Sequence, residues 1–232
     1  MEPRDYLTRA GLSLSEQLVR AAQTALWGVL DETRKASIPA TPHALARLYA
    51  YPVPKLSADG TCSLVDELEP EPYDLAAALG GRGMRNTLSL MVMSGFLERV
   101  LERCPIDWLG VYQRRQRPSG PALVKLASRG APSRAEFPLT DDFEQRSTNV
   151  AVARTGTARV IDDVQAHARA GGAYYECSPT VRSEACLPIF ATDGTVVGIV
   201  DAEHSTVGAF DEERLGWVAA LALEVASHLP LR

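Results

Sequence analysis

The sequence predicts an α+β domain in which helices pack on an antiparallel sheet, preceded by a mainly helical N-terminal extension. Three observations carry that prediction. Between Arg82 and Leu229 the pattern runs helix, strands, helix, loop, hairpin, helix. Asp193-Gly194 separates two apolar segments, Glu184–Ala191 and Thr195–His204, as a hairpin turn does. Phe210-Asp211 then opens a final amphipathic helix, with Asp211 as N-cap and Glu212 and Glu213 at the positive end of its dipole.

Composition sets the outer bounds. The chain has 232 residues, 46% hydrophobic and 23% charged, which is the make-up of a folded domain and excludes a disordered one. A net charge of −5 offers no basic surplus for gripping nucleic acid. The longest apolar runs, such as Val218–Val225, fall well short of the roughly 20 residues that a membrane span needs. Met-Glu-Pro-Arg-Asp lacks the layout of a signal peptide. The expectation is a cytoplasmic protein with neither a nucleic-acid nor a membrane partner. Cys62, Cys104, Cys177 and Cys186 form no Cys-x-x-Cys pair and no zinc-ligand spacing with histidine, so no metal site is expected. Free thiols in a reducing compartment fit better than disulfides.

Each element has its own signal. Ser13-Leu14-Ser15-Glu16 reads as a capping box, and Leu18, Ala22, Leu26 and Val29 continue at helical spacing to Lys35. A short helix is predicted over His43–Tyr49. Prolines and Asp59-Gly60 then mark a loop from Ala50 to Pro72, with a solvated acidic run at Asp66–Glu71. We therefore divide the chain into an extension, residues 1–80, with little core of its own, and a domain, residues 81–232. In that domain Leu88, Val92, Leu97 and Val100 predict a helix over Arg82–Cys104, stopped by Pro105. Strands are predicted at Asp107–Gln113 and Ala122–Ala127 around a turn at Arg117–Gly120, and a helix at Asn149–Arg154 ending at Gly156. Arg159–Ile161 reads as a short strand and Asp162–Arg182 as a long loop. The two long helices, Leu14–Lys35 and Arg82–Cys104, could pair across a two-fold axis in a homodimer, or their stripes could face the core of one subunit.

That order, with Ala-Cys-Leu-Pro-Ile-Phe at 185–190 before the hairpin turn and Val-Val-Gly-Ile-Val-Asp at 196–201 after it, resembles a GAF domain. The resemblance covers roughly 82–229 and is tighter to the branch that reduces free methionine-(R)-sulfoxide. Trp108-Leu109-Gly110-Val111-Tyr112 is similar to that branch's Trp-x-Gly-Phe-Tyr strand, whose aromatic residues enclose the substrate methyl group. Cys177 followed by Ser183-Glu184 repeats the spacing of its catalytic cysteine and Ser-Glu pair, and Asp163-Val164 resembles the Asp-Val leading into its active-site loop, here about four residues longer. Asp201-Ala202-Glu203 stands where the branch has Asp-x-Asp. Two further cysteines of the branch are replaced, by Arg134 and Glu144.

The resemblance implies thiol-dependent reduction of free L-methionine-(R)-sulfoxide. Cys177 would be the nucleophile, in a polar loop where a buried structural cysteine is less expected; the competing reading is a spectator thiol. Asp201 and Glu203 are two apart in a strand and share a face, and Glu184 opens the neighbouring one. The resemblance makes these three hold the substrate ammonium, with one carboxyl kept protonated as acid; otherwise they are solvent-facing residues of an exposed hairpin. Trp108 and Tyr112 would complete the substrate site, or belong to the core. Cys186 shares the face of Glu184 and could resolve an oxidised Cys177, or be a core residue. His167, in the loop, could line the pocket. No bound cofactor is expected, only an external thiol such as thioredoxin or a low-molecular-weight thiol. The alternative function is a non-catalytic GAF module that binds a small molecule and regulates partners; a third is a structural or dimerisation domain.

Overall fold

The computed structural model describes residues 1–35, 42–57, 67–175 and 178–231. Among them the first elements are helices α1 (Pro3–Ala10), α2 (Glu16–Lys35) and α3 (Pro42–Tyr49). The short strands β1 (Ala50–Tyr51) and β2 (Tyr73–Asp74) follow, then α4 (Leu75–Leu79) and α5 (Met84–Arg103). The sheet begins with β3 (Trp108–Arg117), β4 (Gly120–Arg129) and β5 (Glu136–Pro138). Helices α6 (Asp141–Glu144) and α7 (Thr148–Thr155) lead to β6 (Arg159–Ile161) and α8 (Val164–Arg169). The chain closes with β7 (Ser183–Phe190), β8 (Val196–His204) and α9 (Glu212–Val225).

Six strands form one antiparallel sheet in the order β5-β4-β3-β8-β7-β6. Side chains alternate across it, so each central strand divides its residues between two cores. Leu109, Val111, Ala185, Leu187, Val200 and Ala202 face the helical layer of α2, α5 and α9. Trp108, Tyr112, Cys186 and Ile199 face the other way, into a smaller cluster with Phe137, Phe143, Val150 and Tyr175. The sheet-and-helix architecture is therefore the α+β fold that the sequence predicts.

Residues 1–80 share the larger core. Tyr6, Ala10, Val19, Leu26, Val29, Tyr49 and Leu75 are buried in the same cluster as α5 and α9, and the Tyr6 hydroxyl donates to Pro188 O at 2.9 Å. The apolar stripes of α2 and α5 meet α9 in this chain, which accounts for their periodicity. Several local expectations need correction. The helix α1 was not foreseen, although Pro3 at its start and Gly11 at its end, with φ 72°, are its punctuation. The capping box does not form: the helix starts at Glu16, whose carboxylate takes two hydrogen bonds from Arg20 instead. Part of the predicted loop from Ala50 to Pro72 is a ribbon, with β1 on β2 and Lys55 N donating to Glu67 O at 2.8 Å. Within the predicted 162–182 loop, Asp163 caps α8 by accepting from Gln165 N and Ala166 N at 3.0 Å. β5 and α6 were also missed, being too short for a periodic signal. Asp59-Gly60, Cys62 and Cys177 lie outside the described residues. No helix among the described residues is long and apolar enough to cross a membrane.

Candidate functional site

Register brings the predicted carboxylates together. In the β3–β8–β7 ladder, Trp108 lies opposite Glu203 and Glu203 opposite Glu184, while Gly110 lies opposite Asp201 and Asp201 opposite Cys186. All of these belong to the face turned away from the long helices, and α7 packs across it. Ser147 caps α7 by accepting from Val150 N, which sets Thr148 and Asn149 on the first turn above the carboxylates.

Glu184 and Asp201 are each only 3% exposed, so for these two the reading as solvent-facing hairpin residues is overturned. Glu203 is half-buried at the cavity's edge. Asn149 Nδ2 donates to Asp201 Oδ2 at 3.0 Å. The other oxygen of Asp201, Oε2 of Glu184 and Oδ1 of Asn149 are buried with no partner among the described residues. Burial pushes Asp201 up to about 7, held back by the Asn149 bond. Glu184 is pushed well above the carboxylate range, first by burial and then by the charges of Asp201 and Glu203. Thr148 Oγ1 donates to Ala173 O at 3.0 Å, and its side-chain hydrogen bond with Glu184 works against that rise. The site thus carries two inward acids, both shifted toward the protonated form. It favours either a proton or a cationic group between them.

Aromatic rings form the wall. Trp108 and Tyr112 have ring centroids 6.3 Å apart, and Phe137 and Tyr175 line the same cavity. Trp108 Nε1 donates to Ala131 O at 3.0 Å and the Tyr112 hydroxyl to Arg134 O at 3.1 Å, so both rings are fixed at their polar ends. The enclosed space offers about 10 Å³ to the centre of a water molecule, room for about one water. Beside it, between residues 131–133 and 178–181, runs a groove of about 320 Å³ that shares Trp108, Ser133 and Glu203 with the cavity. The Trp108 ring folds over Gly110, and a Cβ there would overlap it. Gly110→Ala is expected to cost about 1–3 kcal/mol by overpacking and to displace the ring. A lowered melting temperature and an altered near-UV circular dichroism spectrum would report both; an unchanged spectrum would count against the assigned packing.

The remaining predicted residues take these places. Cys186 is fully buried, and its thiol is pushed well up by burial, then by Asp201 and Glu184. Cys177 is outside the described residues, but Tyr175 lines the cavity and Ser178 the adjacent groove. His167 does not line the carboxylate cavity: it sits on α8 with Nε2 3.2 Å from Ala173 O. The two replaced cysteine positions have structural partners. The Arg134 guanidinium stacks near Phe143 at 4.8 Å and bonds the Tyr175 hydroxyl at 2.9 Å, while Glu144 pairs with Arg154 at 3.0 Å. Sequence reasoning missed Asn149, Thr148, Ser133, Phe137 and Tyr175 as lining residues. The Ser-Thr-Asn run at 147–149 signals a helix start, and nothing in it signals a pocket. Among the described residues no group of three or more His, Cys, Asp or Glu side chains is placed to hold a metal ion.

The family model described as a GAF domain matches residues 91–229, more than half of the chain. The chain is a member of the GAF-domain family. Similar solved structures agree on the fold. A type II free methionine-R-sulfoxide reductase from Thermoplasma acidophilum aligns at 19% identity over 62% of this GAF protein and 94% of that chain, with a TM-score of 0.54. A Burkholderia vietnamiensis protein assigned as a GAF sensor aligns at 22% identity over 62% and 87%, with a TM-score of 0.50. No curated protein sequence matches this GAF protein.

Proposed function

We propose that this GAF domain reduces free L-methionine-(R)-sulfoxide at the expense of a thiol, the activity named for its Thermoplasma acidophilum structural neighbour. One observation carries the reading. Glu184 and Asp201, on neighbouring strands, each direct an unpartnered oxygen into a buried cavity walled by Trp108 and Tyr112. A zwitterionic sulfoxide supplies what that cavity lacks, a cation for the carboxylates and an apolar methyl group for the rings.

In the reaction, the Cys177 thiolate attacks the sulfoxide sulfur and a protonated carboxyl, Glu184, supplies a proton to the departing oxygen. The protonated oxygen passes from the substrate sulfur to the Cys177 sulfur as the transient bond between the two sulfurs breaks, so methionine leaves and Cys177 is left as a sulfenic acid. The sulfoxide is reduced by two electrons and the cysteine oxidised by two. A thiol then condenses with the sulfenic acid, releasing water, and a second thiol frees Cys177 as a disulfide forms. Buried Cys186, beside two carboxylates, resists forming the thiolate that this step needs, so we assign resolution to an external thiol such as thioredoxin or a low-molecular-weight thiol.

That small cavity also favours a second reading, a non-catalytic module holding a small ligand, as do Arg134 and Glu144 at the branch's cysteine positions. Turnover of L-methionine-(R)-sulfoxide with dithiothreitol, and separately with a thioredoxin system, distinguishes the two. Activity is expected with at least one reductant and is expected to vanish in Cys177→Ser. Folded protein inactive with both reductants would select the second reading. A Cys177–Cys186 disulfide formed during turnover would return resolution to Cys186.

A further inference from the structure

A second pocket lies where the N-terminal extension meets the GAF domain, away from the carboxylate cavity. Tyr6 of α1 and Gln23 of α2 face Phe190 of β7 and Ala222, Glu224 and Ala226 at the end of α9, around about 230 Å³. Tyr6, Phe190 and Ala222 belong to the larger core, on the helical side of the sheet. Trp108 and Tyr112, which wall the carboxylate cavity, belong to the other cluster.

The polar part of this pocket is made of acceptors. Gln23 is 7% exposed, and its Nε2 donates to Glu224 Oε1 at 2.8 Å. A carboxylate only accepts, so the amide is held with Nε2 toward Glu224 and Oε1 turned away from it. Neither Gln23 Oε1 nor Glu224 Oε2 has a partner among the described residues. Met1 also lines the pocket, and neither it nor any other described cation pairs with Glu224. Glu224 is moreover the penultimate residue of α9, whose last turn carries no basic side chain. A negative charge there meets the negative end of the helix dipole, an unfavourable placement that a cation offsets.

The rest of the wall is apolar. The Tyr6 and Phe190 rings meet edge to face with centroids 5.8 Å apart, and Ala222 and Ala226 leave room beside them. The Tyr6 hydroxyl is committed to Pro188 O, so this residue offers its ring and not its proton. A carboxylate, an amide oxygen and a helix C-terminus together call for a cation with several N–H groups. Rings and alanines call for an apolar body joined to it, and about 230 Å³ is far more than a bare ion fills.

We propose that this pocket binds a small organic cation, a primary amine with an apolar body, whose ammonium bridges Glu224 and Gln23. Because Tyr6 and Gln23 come from the extension and Phe190 and Glu224 from the domain, the ligand clasps one against the other. The site is independent of the reductase reading.

The test is titration of the isotopically labelled full chain with 2-phenylethylamine, and with 2-phenylethanol as its neutral counterpart of equal size, followed by backbone amide shifts. The amine is expected to move the signals of 190–192 and 222–227 and to bind about tenfold to a hundredfold more tightly than the alcohol, the range for a hydrogen bond to a charged group. Glu224→Gln keeps an acceptor for Gln23 while removing the charge, and it is expected to erase that preference. Asp201→Asn guards against amine drawn to the other cavity, and the shifts at 190–192 and 222–227 should persist in it. Shifts confined to the carboxylate cavity, or none at all, would overturn the site. So would equal affinity for amine and alcohol, or a preference that survives Glu224→Gln. Each of these outcomes leaves the reductase reading standing, since that is decided by turnover.

Discussion

Glu184→Gln is expected to lower turnover of free L-methionine-(R)-sulfoxide by about 10²–10⁴-fold, the usual contribution of a positioned general acid, with little change in KM. Glu184 is 3% exposed and faces Asp201 and Glu203, so burial first, and then those charges, push its carboxyl well above the carboxylate range, toward the protonated form. Glutamine copies the size and neutrality of a protonated acid. What it cannot do is release a proton to the departing sulfoxide oxygen. The alternative division of labour has Glu184 ionised and holding the ammonium, with Asp201 as acid. That arrangement predicts a raised KM and a smaller loss of kcat for Glu184→Gln, and the larger kcat loss for Asp201→Asn. Steady-state kinetics of the two variants, read as a kcat and KM pair, separate the schemes. Comparable loss of kcat in both variants would mean that the carboxyls act as one proton-sharing unit.

The readability of this site in sequence followed the range of the interactions that build it. Trp108 and Tyr112, Asp201 and Glu203, and Glu184 and Cys186 share a face because strand side chains alternate, which is a local property. Gly156, with φ 72°, and Asp211, accepting from Arg214 N, end and begin helices through contacts within a few residues, and these too were legible. Lys125 was not. Within Ala-Leu-Val-Lys-Leu-Ala a lysine reads as a solvent-facing interruption, and its burial depends on Tyr51, 74 residues away in sequence. A bulge between Val111 and Tyr112 also shifts the register so that Lys125 faces Tyr112, and no alternation rule anticipates it. Asn149 is similar: a helix-start residue by pattern, it becomes a carboxylate partner only because α7 crosses β8. The capping box failed for a related reason. A local motif at 13–16 competed with an Arg20–Glu16 pair and with where the packed helix begins, and the motif lost.

Between pH 5 and pH 8 this protein is expected to lose stability as pH rises, and Asp201→Asn is expected to remove much of that loss. A carboxyl raised by burial binds its proton more tightly folded than unfolded. Wherever the folded state holds more protons, the free energy of unfolding falls with increasing pH. For Asp201 the window runs from the ordinary carboxylate range, about 4, to its folded value of about 7, after which both states are ionised and the slope ends. The shift corresponds to on the order of 4 kcal/mol, and Glu184 acts in the same direction. At roughly 2–4 °C per kcal/mol for a chain of this size, melting temperature should drop by on the order of 10 °C across the window. Asp107 and Asp163 are shifted the other way, so their contributions are complete above about pH 4 and are lost only in stronger acid. Thermal melts at pH 5, 6.5 and 8, wild type against Asp201→Asn, make the comparison. The variant should be the more stable protein at pH 8, because asparagine still accepts from Asn149 but carries no charge into the cavity. A wild-type melting temperature that is flat or rises over this interval would contradict the burial of the two acids. The expected outcome also links stability to ligand: at pH 8 a cationic ligand beside Asp201 offsets the cost of its buried charge, so it should raise the wild-type melting temperature more than that of Asp201→Asn. The instability at high pH is then the counterpart of a cavity shaped to receive positive charge.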